Sequence, residues 1–195
     1  MSKEFEPLFK SDSDWHNNAC LNFQGDMSYG YIEGYKRAAD ALVTQVNETG
    51  IDQDFLVYPI VFLYRQHIEL LLKRIINNSR QLLNNESGYP KNHKIDNLWH
   101  LVKDLARQVW QEKDPEEFKL IDHIIKELSE ADPESMSFRY PEDKNGKKSN
   151  PDILHINLRY FGQTINEISS ILDGIDAGIS HDLNQKNEFL SRCFI

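Results

Sequence analysis

Residues 58–76, YPIVFLYRQHIELLLKRII, set Arg65, His67, Glu69, Lys73 and Arg74 into the most apolar stretch of a 195-residue chain. On a helix, Arg65, Glu69 and Lys73 fall four residues apart in one row, with His67 and Arg74 on neighbouring faces. A guanidinium, an imidazole and a carboxylate lining a bundle cavity would grip a phosphate and move a proton, with His67 as acid or base. The competing reading is an ion ladder from Arg65 through Glu69 to Lys73. Interior charges need partners, and this row supplies its own.

A second group lies further along. DPESMSFRYPEDKNGKKSNP, residues 132–151, has no helical periodicity, and connections of such length are uncommon in compact domains and often functional. It holds Arg139 and Tyr140, and Asn145-Gly146 suggests a type I′ turn in a hairpin-like flap over residues 138–148. His155 and Arg159 follow, expected one turn apart at the start of a last helix, where an imidazole and a guanidinium beside the positive end of the dipole suit a phosphate. A solvated face is the plain alternative. The candidate ligand-binding residues are therefore Arg65, Glu69, Lys73, Arg139, Tyr140 and Arg159, with His67 and His155 as candidate acid–base groups.

Other chemistries find little footing. The seven histidines, at 16, 67, 93, 100, 123, 155 and 181, form no HxxxH or HExxH pair, and no CxxC occurs, so neither a metal site nor a cofactor is expected. No GxGxxG, GxxxxGK[ST] or GxSxG motif is present. A net charge of −9 opposes non-specific nucleic-acid binding, so any contact with RNA would be local. The start of the chain has no apolar signal region and no 18-residue apolar run is read as spanning a bilayer, which points to a cytoplasmic protein without a membrane segment. Cys20 and Cys193 are expected to be reduced.

The elements that would position these groups read as all-α: a single-domain up-and-down bundle of about five helices, with an N-terminal arm (1–25), a bundle (26–175) and a C-terminal tail (176–195). The rings of Phe5, Phe9, Trp15 and Phe23 are expected to pin the arm to the body. Helix one spans about 26–47, with Met27, Tyr31, Tyr35, Ala38, Leu42 and Val46 inward and Gly50 at its end. Gly30 and Gly34 within it suggest a close neighbour. Helix two runs from Pro59 to about Leu83 and, apolar nearly all round, is central. Helix three covers about 96–110. Helix four is capped at Asp114-Pro115 and carries Phe118, Ile121, Ile125 and Leu128. Helix five starts at Asn150-Pro151, and Leu154, Leu158, Phe161, Ile165, Ile168, Leu172 and Ile175 form a seam for another helix of the same chain or of a second copy.

With "YIEGYKRAADAL", "FLYRQHIELLLKRII" and a polar-capped last helix in place, the chain resembles the HEPN superfamily of helical bundles, found in bacterial toxin–antitoxin and phage-defence systems. The resemblance covers about residues 26–175. It implies a homodimer and association with RNA, a nucleotide or a partner protein. Its ribonuclease branch carries an Arg, four to six residues, then a His near the start of a late helix. That spacing is absent here. Arg65-x-His67 is too short and His155-x-x-x-Arg159 is reversed, which leaves a non-catalytic dimeric interaction module as the alternative function.

Overall fold

Gly50 closes the first helix, Ser28–Thr49 (α1), in the left-handed conformation at φ 67°, donating its N–H to the Val46 carbonyl. The computed structural model describes residues 5–85 and 88–193. Four further helices follow: α2 Gln53–Leu82, α3 Ile95–Trp110, α4 Phe118–Ala131 and α5 Leu158–Cys193. The fold is an all-α bundle. Among the described residues, extended structure is limited to a single bridge between Glu142 and Lys148.

The centre of the bundle is α2, which packs against α1, α3 and α5. It begins one and a half turns before Pro59, which sits inside the helix, because the chain enters directly from Asp52 in the left-handed region. By length and composition α2 is apolar enough to cross a bilayer, yet here its neighbours enclose it. Ile60, Tyr64, Ile68, Leu72, Ile75 and Ile76 are completely buried. At its far end the Lys186 ammonium of α5 donates to the Gln81 and Leu82 carbonyls at 2.9 and 2.7 Å, satisfying groups that a helix C-terminus leaves open.

The last helix starts at Leu158, not at Asn150. Asn157 caps it, accepting the Tyr160 N–H at 3.0 Å, while Asn150 adopts φ 50° and donates its side-chain amide to the Ser137 carbonyl. Residues 153–157 thus form a non-helical strap, and Leu154 is exposed instead of leading the seam. The seam itself, from Leu158 to Ile175 and on to Ile179, is spent within the chain against α2 and α1, so it offers no face to a second copy. Residues 176–193 continue as helix; 194–195 of the expected tail lie outside the described residues. α5 also runs parallel to α2, as the pairs Tyr64–Phe161, His67–Ser169 and Arg74–Asp176 show. Strict up-and-down alternation is broken because His93, at the entry of α3, lies at the level of Arg65 in the first half of α2.

On α1 the buried stripe is Ile32, Ala39 and Val43, one residue out of phase with Tyr31 and Ala38, which face solvent. α4 begins after a turn, because Asp114 is held by the Arg107 guanidinium at 2.8 and 2.6 Å instead of capping the helix. The described part of the arm is not pinned: Phe5, Phe9, Trp15 and Phe23 are 65–93 % exposed, and the hydrogen bonds of residues 12–18 are local. Residues 1–4 lie outside the described region. Cys20 is free and exposed.

Close approach occurs at Gly162, where a Cβ would meet the Tyr64 hydroxyl at 3.1 Å and Val43 at 3.3 Å, and not at Gly34, around which there is open space. Gly34→Ala therefore gains helix propensity without a clash and is expected to stabilise the protein by about 1 kcal/mol, read as a rise in thermal midpoint.

Candidate functional site

The charged row on α2 is a closed structural network. Arg65 and Glu69 are 0 % and 1 % exposed. The Arg65 guanidinium donates to Glu69 at 3.1 Å, to the Asp132 carbonyl at 3.1 Å and to the His93 carbonyl at 2.7 Å. Lys73 donates to the other Glu69 oxygen at 2.7 Å, and the His93 ring approaches the same oxygen at 2.9 Å. One residue thereby ties α2 to the entry of α3 and the exit of α4. Burial alone would raise the Glu69 carboxyl, but hydrogen bonds and charge from Lys73 and His93 outweigh it and hold it below the ordinary 4.5. Arg65, Glu69 and Lys73 are thus already paired with protein groups.

His67 lies on another face of α2, completely buried. Its Nδ1 is 3.1 Å from the Ile32 carbonyl, which can only accept, so Nδ1 carries the proton; Nε2 then accepts from the Ser169 hydroxyl at 3.0 Å. The ring bolts α1, α2 and α5 together and is out of reach of a substrate. Burial, followed by the Lys36 charge, depresses its pKa below 6.5 despite the Ile32 hydrogen bond and the nearby Glu33 and Asp40. The folded state therefore resists protonation that the unfolded chain accepts, so this residue's contribution is intact above pH 6.5 and falls as pH drops below it. The thermal midpoint is expected to decline between pH 7 and 5, and a His67→Gln variant should show a shallower decline.

The remaining candidates converge elsewhere. The first turns of α2, the 137–141 segment and the strap enclose an open cleft of about 970 Å³ whose lining includes Tyr58, Arg139, Tyr140, Lys148 and His155. Arg139 is held by stacking: its guanidinium lies 5.4 Å from the ring centres of both Phe62 and Tyr140. The flap behind it is hairpin-like. Asp143 organises it, accepting the Asn145 and Lys147 N–H groups and donating its own to the Lys147 carbonyl. Only Gly146, at φ 75°, is left-handed in the Asn-Gly pair, so the turn is not type I′. His155 sits on the strap and Arg159 on α5, where its Nε donates to Asn47 at 3.3 Å. They are not one helical turn apart, and Arg159 does not line the cleft.

Two cleft residues escaped the sequence reading. Tyr58 stands at the edge of the apolar stretch and Lys148 at the end of the expected flap, and neither is among the candidate residues. No sequence signal marked either one. Among the described residues no cluster of His, Cys, Asp and Glu has metal-binding geometry. Comparison with family models, curated proteins and solved structures finds no match.

Proposed function

We propose that this protein binds a nucleotide, free or as an unpaired residue of RNA, in the cleft between α2 and the 137–156 segment. The observation that carries this reading is the gathering of Arg139, Lys148 and His155 with Tyr58 and Tyr140 in one open cleft. Cations beside aromatic faces are what a phosphorylated base requires: a guanidinium and an ammonium for the phosphate, rings for the base. The net charge of −9 confines this grip to a local patch. The HEPN-like sequence pattern supports association with RNA or nucleotides. Binding is the activity inferred: His67 is sequestered in the core, and His155 is the one acid–base candidate that lines the cleft.

The test is fluorescence anisotropy with a labelled single-stranded oligoribonucleotide at low salt. Arg139→Glu together with Lys148→Glu is expected to weaken binding about 100-fold, with only a small drop in thermal midpoint from the lost stacking of Arg139 on Phe62 and Tyr140. Equal binding by the two proteins contradicts the assignment.

A second reading, an interaction module, rests on the arm, where Phe5, Leu8 and Phe9 are 87–93 % exposed. Light scattering on a chain lacking residues 1–25 tests it. A drop from dimer to monomer mass supports this reading, and an unchanged mass removes it.

A further inference from the structure

Beside the cleft, and sharing Phe138, Ile153 and Ile156 with it, lies a smaller chamber of about 220 Å³. Its walls are mainly apolar, built by Val61, Leu128, Phe138, Ile156, Phe161 and Ile165, with Arg65 and Asp132 among them and Glu127, which pairs with His123, at an exposed edge. Asp132 is 1 % exposed. Its Oδ1 accepts the Met136 and Ser137 N–H groups at 2.7 and 2.9 Å, but its buried Oδ2 has no hydrogen-bond partner. Arg65 Nε is 3.7 Å from that oxygen and gives its proton to the Asp132 main-chain carbonyl instead. A buried carboxylate oxygen without a donor is costly and is a natural anchor for an incoming N–H.

We propose that this chamber receives the base of the bound nucleotide, with an exocyclic amino group donating to Asp132 Oδ2. The inference rests on the nucleotide reading of the adjoining cleft. An apolar cavity of about 150 Å³ accommodates benzene, so the chamber suits a planar one- or two-ring molecule. Adenine, cytosine and guanine carry an amino donor. Uracil flanks its ring N–H with carbonyl oxygens that would face the carboxylate, so the chamber discriminates against it. The two cavities adjoin at Phe138, Ile153 and Ile156, and the proposal has one ligand reach across that edge, its base here and its phosphate beside Arg139 and Lys148.

Calorimetric titration of the full chain with AMP, UMP and ribose 5-phosphate tests this. AMP is expected to bind about tenfold or more tighter than UMP, as one hydrogen bond to a charged group implies. Asp132→Asn should narrow that gap, its Oδ1 still able to accept the Met136 and Ser137 N–H groups. Thr164→Phe, which grows a ring from the chamber lining, should bring AMP down to the level of ribose 5-phosphate and leave ribose 5-phosphate unchanged. If all three bind alike, or if the AMP preference survives both variants, the base chamber is wrong while the phosphate grip of the cleft stands. If none binds, or if water alone fills the chamber and only the phosphate moiety is recognised, the chamber assignment falls; in the first of these cases the nucleotide reading falls with it.

Discussion

Arg65→Ala is expected to lower the thermal midpoint by roughly 10 °C, from a loss of about 3–5 kcal/mol. The reason is what the substitution strands. Removing the guanidinium strands the buried Glu69 oxygen and the buried Asp132 main-chain carbonyl without their donor, and frees the part-buried His93 carbonyl. Domains are stable by only about 5–15 kcal/mol, so one such loss is a large share of the total. Arg65→Ala combined with Glu69→Ala should cost less than the sum of the two single changes, because each removes the other's unpaired charge. Circular-dichroism melts of the three variants measure this directly. A midpoint unchanged in Arg65→Ala means the row is not structural.

Trp99→Ala is expected to destabilise by a similar amount, about 3–5 kcal/mol, and to do so unevenly. Trp99 is 1 % exposed, meets the Phe118 ring edge-on at 5.0 Å and donates its indole N–H to Asp122 at 2.7 Å. Of the helix pairs with substantial contact, α4 shares one only with α3, so this indole is its main anchor. Hydrogen exchange should accelerate first in residues 118–131 and then in the segment beyond Asp132 that forms the cleft wall. Loss of protection spread evenly over α1, α2 and α5 would contradict that hierarchy.

The helical class was legible in the sequence because apolar periodicity is strong where a helix buries one stripe: Phe118, Ile121, Ile125 and Leu128 are buried together. Helix starts were less legible. Asn150-Pro151 satisfies the local rules for a helix entry, but tertiary contacts of the strap over the cleft override them, and the real cap, Asn157, lacks a proline beside it. The stripe of α1 was legible in part: Tyr35 meets Phe62 edge-on and Leu42 and Val46 pack on the core, but Tyr31 looks as apolar as Ile32 and only packing against α2 separates them. The charged row was readable as a self-pairing ladder from its spacing. Its third-party partners, His93 and Asp132, come from 28 and 67 residues away, a distance over which spacing carries no information. The cleft was half legible, through Arg139, Tyr140 and His155, because the long loop drew attention to them. Asp132 looked like a helix stop, and its unpartnered oxygen is visible only in three dimensions.

We propose that the ionisable residues of this chain divide into a buried row that holds the fold and an adjoining cleft that takes a ligand. Amide chemical-shift mapping by NMR during an AMP titration tests it most directly. Saturable shifts at the start of α2, in residues 137–141 and 148–156 of the cleft, and in residues 124–132 and 160–165 around the base chamber are the predicted result. Shifts centred on residues 65–73, or a wild-type spectrum unmoved at millimolar AMP, would contradict it.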